Sequence, residues 1–224
     1  MSKISKYETL LGLPLFQGMS RNDIGQVAET VGLSFTKYAK GKKIINSGDA
    51  CKGFVILIRG EAILRASSDS YTYSVEEFVS QPMVIQPERL FGLTQRYTVS
   101  FTSNSECTLI YVKKEDVLYL LDNYEIFRLN FINMLSTVGQ KLAGMPWHNR
   151  PEEVKTKIIY FFKTHCIYPA GDKVFYISMQ QLACEVGESR LNVSKALNHL
   201  HEKGFINLRR CMIHVIGMER MISL

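Results

Sequence analysis

Residues 178–203, SMQQLACEVGESRLNVSKALNHLHEK, limit the fold more than any other stretch. They predict two short helices joined by a tight turn. Ser178 can cap the first helix, and Gln181, three residues on, can return the bond in a capping box. Leu182 and Val186 give that helix a short apolar face, and Ala183 is small enough for close helix approach. Gly187 falls where the chain must leave the helix through a left-handed residue. Ser189 can cap the second helix, whose Val193, Leu197 and Leu200 recur at i, i+4 and i+7. Its other side carries Arg190, Asn192, Ser194, Lys195 and Asn198, residue types that bond base edges and phosphates.

Taken alone, the pattern also fits a helical hairpin with an ordinary solvated face. The residues after 203 narrow the choice. Lys203 and Gly204 stop the helix, Phe205-Ile206-Asn207-Leu208 reads as a strand, and Ile213-His214-Val215-Ile216 returns after a turn at Arg209-Arg210-Cys211-Met212. This is a wing beside the second helix. With Ser178 and Ser189, the two arginines at its tip complete the candidate set for phosphate and base contacts.

The formal charge of +6 over 224 residues permits a nucleic-acid partner without demanding one. From Pro151 onward there are ten Lys/Arg against seven Asp/Glu, a net of +3, so the charge is not gathered in the last third. The case for DNA therefore rests on where particular residues sit. No apolar run is long enough to span a bilayer, and the N-terminus is too polar for a secretory signal; a cytoplasmic chain with no membrane partner is expected. Cys51, Cys107, Cys166, Cys184 and Cys211 are scattered and unpaired in pattern, which argues against a zinc ribbon or a clustered iron–sulfur site, and no metal site is expected. Most read as small core residues.

Residues 1–35 read as helical, with Leu10, Leu11, Leu13, Leu15 and Phe16 clustered and Ser20 placed to cap a helix through Ile24 and Val27. From 35 to 112 the texture becomes short apolar runs cut by glycines, with strands expected at 54–58, 62–66, 71–78, 98–103 and 108–112. Such a series suggests a small barrel or double-sheet roll. Within it, Ile44-Ile45-x-x-Gly48-Asp49-x-Cys51-x-x-Phe54-Val55-Ile56-Leu57-x-x-Gly60 resembles the first signature of cyclic-nucleotide-binding domains. Together with Leu13-Pro14-Leu15-Phe16 ahead of the roll and the winged helix-turn-helix behind it, the whole chain resembles Crp/Fnr-type transcription regulators. The resemblance implies an α+β chain. A double-stranded β-roll over 1–122 leads into a long dimerisation helix over 123–145 and a winged helix-turn-helix domain over 146–224.

The ligand cassette departs from the family pattern. Cyclic-nucleotide binders carry Phe-Gly-Glu, whose acid holds the ribose hydroxyls, and then an arginine for the phosphate. Here the matching residues are Phe91, Gly92, Leu93, Thr94, Arg96, Tyr97 and Thr98. A leucine cannot accept the ribose bonds, which costs about 1–3 kcal/mol per stranded hydroxyl. Arg96 is the candidate for an anion, and the effector is expected not to be cyclic AMP. No histidine precedes His148, so the roll offers no proximal histidine for haem and leaves only cysteine, methionine or unusual ligands, and the N-terminal cysteine cluster of the iron–sulfur members is absent.

A helix is expected from 115 to 142, interrupted at Asp122-Asn123. Phe127, Phe131, Leu135, Val138 and Leu142 are spaced 4, 4, 3 and 4, a coiled-coil-like seam read as the dimer interface. Ile126, Leu129, Ile132 and Met134 are then expected to face the chain's own roll. The run from Gly144 to Pro151 reads as the hinge, with Trp147 lodged between domains or in a dimer contact, and Glu152 and Glu153 open the next helix.

The resemblance then implies a homodimer on double-stranded DNA with a near-palindromic operator, and RNA polymerase as a partner if the protein activates. Arg190 matches the family's base-reading arginine, Lys195 replaces an arginine and points to phosphate, and Leu191 stands where many members have a glutamate. Two other readings stay open: an effector-independent DNA-binding dimer, and a nucleotide-binding regulatory subunit acting through protein contacts. Neither a Walker loop, nor a dinucleotide fingerprint, nor a nucleophile with a neighbouring base points to an enzyme.

Overall fold

The computed structural model describes residues 3–80, 82–144 and 151–222. The elements run α1 (Lys3–Leu11), α2 (Arg21–Thr30), β1 (Ser34–Tyr38), β2 (Lys43–Ile45), β3 (Gly53–Arg59), β4 (Ala62–Ser67), β5 (Ser74–Val79), β6 (Met83–Val84), β7 (Ser100–Ser103), β8 (Cys107–Lys113), α3 (Lys114–Asn123) and α4 (Glu125–Gly144). After them come α5 (Val154–Thr164), β9 (Lys173–Tyr176), α6 (Met179–Val186), α7 (Arg190–Glu202), β10 (Ile206–Arg209), β11 (Met212–Val215) and α8 (Met218–Ile222). The expected α+β class is observed. The chain forms two compact units, one of Met1–Ala62 with Ser80–His148, and a second of Ile63–Val79 with Asn149–Leu224.

The first unit is built on antiparallel strands in the order β1-β8-β3-β6, with β2 paired to β7. Alternation along β3 and β8 buries Phe54, Ile56, Ile110 and Val112, and Phe101 from β7 is buried with them. Gly60 turns the chain after β3 at φ +99°, and a Cβ there would collide with the Glu106 carbonyl oxygen, so the signature glycine is a steric requirement. Ser20 caps α2 by accepting the Asp23 N–H at 3.1 Å, as its position predicts. The interruption between α3 and α4 falls at Tyr124, whose backbone is extended.

In the first half of α4 the buried and exposed faces are the reverse of the expectation. Phe127 and Phe131 are only 1% and 4% exposed within this one chain. The Phe127 ring packs on Phe16 at 5.1 Å between centroids, and the Phe131 ring on Phe54 at 5.5 Å and Phe91 at 6.2 Å. Asn130 locks the same face by donating to the Leu15 and Gln17 carbonyls. Leu129 and Ile132, expected inside, are 46% and 48% exposed. The reason is size: burying a phenyl ring contributes about 1.5–3 kcal/mol, and the unit's interior accepts these two rings. Phe127 and Phe131 therefore drop out of the dimer seam. Leu135 and Val138 are half-buried and Leu142 is exposed.

The second unit carries strands in the order β10-β11-β9-β5-β4 beside α5, α6, α7 and α8. Its core gathers Ile158, Phe162, Phe175, Leu182, Val193, Leu197 and Leu200. The β4–β5 hairpin, read from the sequence as part of the roll, belongs to this unit. It is held by the pairing of β5 with β9 from Ser74↔Tyr176 to Glu77↔Lys173. The Glu77–Lys173 pair is fully buried, with Lys173 Nζ 3.2 Å from the carboxylate and donating to the Ala170 carbonyl at 2.7 Å. The Glu77 carboxylate also accepts the backbone N–H groups of Ile167 at 2.6 Å and Tyr168 at 3.0 Å. Both charges are thereby paired and hydrogen-bonded, the condition under which burial is tolerated.

Smaller differences have local causes. Expected strand residues 71–73 form the hairpin turn, with Tyr71 at φ +56°. The helix expected from Pro151 begins at Val154, with Glu153 as an N-cap whose carboxylate bonds Thr156 rather than the helix amides. Residues 145–150 lie outside the described residues, and with them the hinge and the placement of Trp147 and His148. Cys51, Cys107 and Cys166 are buried as expected, while Cys184 and Cys211 are exposed.

Candidate nucleic-acid interface and ligand cassette

In the second unit the helix-turn-helix forms as its punctuation predicts. Ser178 Oγ accepts the Gln181 N–H at 3.1 Å, and Gly187 closes α6 at φ 67°, ψ 41°. The capping box is only half made. Gln181 Nε2 reaches forward to donate a charge-assisted bond to Glu185 Oε1 at 2.7 Å, and the side chain does not turn back to accept the Ser178 N–H. Ser189 Oγ accepts the Asn192 N–H at 3.1 Å and starts α7. Between the helices, Glu188 takes a 2.6 Å bond from Lys157 Nζ on α5 and a 3.5 Å bond from Asn192 Nδ2. Those bonds, the Lys157 contact first, hold the Glu188 carboxyl below its ordinary range. The amino end of α7 is thus fixed by a cap, a charged bond to a neighbouring helix, and the burial of Val193.

With Val193, Leu197 and Leu200 buried, the outward stripe of α7 follows from helix geometry: Leu191, Lys195 and Asn198 at i, i+4 and i+7. Arg190 and the half-buried Ser194 lie on one flank, Asn192 and His199 on the other. The expected residues Arg190, Asn192, Lys195 and Asn198 are all exposed on one helix. Ser178 and Ser189 each accept a cap bond at the hydroxyl oxygen, which leaves the hydroxyl hydrogen to donate elsewhere. The wing pairs Arg209 with Met212, and Cys211 takes φ +54° at its tip, which leaves Arg209 and Arg210 exposed at the end of the hairpin. Leu191, which stands where the resemblance expects a glutamate, sits in the middle of this polar stripe, 64% exposed. Its antiphase to Val193, Leu197 and Leu200 is the sequence signal that places it there.

The cassette in the first unit does not converge on an enclosed site. Leu93 is fully exposed at the tip of its loop, and Gly92, Thr94, Arg96 and Thr98 are exposed with it. Arg96 Nη1 donates to the Gly48 carbonyl at 2.8 Å, and Thr98 exchanges bonds with the Gln86 side chain. Phe91 is half-buried, with Lys114 Nζ 4.9 Å over its ring. Only Tyr97 turns inward. Its hydroxyl donates to the Gly53 carbonyl at 3.3 Å, and burial, with Cys51 adding to it, pushes that hydroxyl far above its usual range, so it stays a neutral donor. Tyr97 also lines a cleft of about 420 Å³ together with Thr36, Tyr38, Asp49, Lys52 and Tyr111. The Asn46 backbone N–H, which donates to Asp49 at 2.8 Å, holds the Asp49 carboxyl below its ordinary range. Among the described residues no cluster of three or more His, Cys, Asp or Glu side chains could hold a metal ion.

No protein-family model and no curated protein matches this sequence. Solved structures do. The chain is similar to the catabolite activator protein of Thermus thermophilus, with 19% identity, a TM-score of 0.50, and coverage of 94% of this chain and 97% of that one. It is also similar to the sensor domain of the transcriptional regulator DNR from Pseudomonas aeruginosa, with 16% identity, a TM-score of 0.50, and coverage of 63% and 93%. At these identities the likeness is one of fold, shared over most of the chain with the first and over the sensor part with the second.

Proposed function

We propose that this chain is a homodimeric DNA-binding transcription regulator of Crp/Fnr type. The observation that carries the reading is the outward stripe of α7, flanked by Arg190 and Asn192 and set beside a wing tipped with Arg209 and Arg210. A helix with its amino end capped and its back buried can enter a major groove, while the wing arginines meet phosphates. Arg190 is the guanine reader, Lys195 the phosphate contact, and Asn192, Ser194 and Asn198 the remaining polar partners. Two-fold pairing sets two such helices roughly 34 Å apart, one DNA turn, on a near-palindromic site.

The dimer seam in this reading lies on the exposed apolar face of α4 at Ile126, Leu129 and Ile132. It replaces the Phe127 and Phe131 face, which is used inside the chain. Cyclic AMP is not the effector in this reading: Leu93, which stands in place of the family's acid, is exposed at its loop tip, and Arg96 bonds the Gly48 carbonyl. Selection from randomised duplexes tests the function. A symmetric motif bound with a steep salt slope supports it. Binding that ignores sequence, or no binding at low salt, overturns it.

A further inference from the structure

We infer that Leu191 is a specificity residue of this site, reading the 5-methyl group of a thymine beside the guanine assigned to Arg190. The inference rests on the DNA-binding function proposed above.

Exposed leucines are common and single ones carry no message. This one differs in its surroundings. Leu191 is the second residue of α7, at the end of a recognition helix that meets base edges. Its neighbours Arg190 and Asn192 and the residues one and two turns on, Lys195 and Asn198, are polar and exposed. Among the described residues its own unit leaves it uncovered, since the side chains that pack α7 against the core are Val193, Leu197 and Leu200 on the opposite face.

The chemistry of the groove then selects the partner. Base edges in the major groove offer hydrogen-bond donors, acceptors and one apolar group, the C5-methyl of thymine. A leucine has no donor or acceptor, so against guanine, cytosine or adenine edges it would displace water and return no bond. Against the methyl it removes apolar surface from both sides. Its aim is also fixed, because the Ser189 cap and the Lys157–Glu188 bond hold the first turn of the helix in place. A contact worth one buried methyl corresponds to about a fourfold change in affinity per half-site.

The test replaces thymines of the selected duplex one at a time by deoxyuridine, which removes the methyl group and leaves every hydrogen-bonding atom. The full-length wild-type chain should lose about fourfold at one thymine in a half-site, and about sixteenfold when both half-sites are changed. Leu191→Ala should be indifferent to that replacement while keeping its preference for guanine next to it. A wild-type chain indifferent at every thymine overturns the inference, as does Leu191→Ala keeping the same thymine dependence. Both results leave the DNA-binding function standing. Failure of the wild-type chain to select any motif overturns the function and this inference together.

Discussion

Two leucines stand where the family resemblance expects an acid, and the two regions that hold them behave differently. Leu93 sits in the cassette loop and Leu191 in the first turn of α7. Both are exposed, but only the second has a direction that the rest of the structure enforces. The loop residues around Leu93 bond to one another and to nearby backbone, as Gln95 does to the Gly92 carbonyl at 3.2 Å. Around Leu191 a cap, a charged bond between helices and a buried flank fix the backbone. A substituted residue keeps a meaning where a regular element fixes its aim; in a loop the same change can carry the side chain out of the site.

The largest expected effect probes the scaffold behind α7. Glu77→Ala leaves Lys173 charged and unpaired in the second unit's interior and should lower stability by about 3–5 kcal/mol in urea unfolding of the full chain. A loss under 1 kcal/mol would mean that the buried pair does little to hold the hairpin in the second unit. Next, Arg190→Ala should weaken operator binding by about 1–3 kcal/mol and relax discrimination at one base pair per half-site, read by repeating the selection. Retention of full sequence preference would move the reading role elsewhere on the stripe.

A smaller effect comes from pH. The Glu188 carboxyl titrates lower in the folded chain than in the unfolded one. Its stabilising contribution is therefore complete above the ordinary glutamate range and fades as pH falls through that range toward the lowered folded value. Melting curves of wild type and Glu188→Gln should differ at neutral pH and converge in acid; a gap that persists in acid would contradict the Lys157 bond as its source. The smallest effect is at the other leucine. Leu93→Glu should change stability by no more than about 0.5 kcal/mol and should not create cyclic AMP binding in calorimetry, because the restored acid points to solvent. Measurable binding would show that the loop closes over the cleft after all.

Much of the fold is legible in the residues themselves. Ser178, Gly187 and Ser189 mark their own caps, and Val193, Leu197 and Leu200 mark a buried face, because each signal spans one or two helical turns. Gly48 and Gly60 likewise announce the turns around β3, where φ is positive at both. The faces of α4 are not legible, since apolar residues occupy both and periodicity alone offers two seams. Ring packing on Phe16 and Phe54 decides between them, and those partners come from distant parts of the chain. Glu76-Glu77 in one strand and Lys173 at the head of an apolar run read locally as surface charges. The Glu77–Lys173 pairing depends on strands whose neighbours no local pattern reveals.

The β5–β9 pairing has a consequence for synthesis. Tyr176 and Glu76, which bond across it, are 100 residues apart in sequence. At translation rates of about 5–20 residues per second, roughly 5–20 s pass between the emergence of the hairpin and that of its partner strand. Through that interval the nascent chain carries an open strand edge and an unmatched carboxylate at Glu77. The negative charge is itself a guard, since charge on an edge strand discourages pairing with another chain. The carboxylate that locks the finished unit is thus, until Lys173 is made, a charge on an open strand edge.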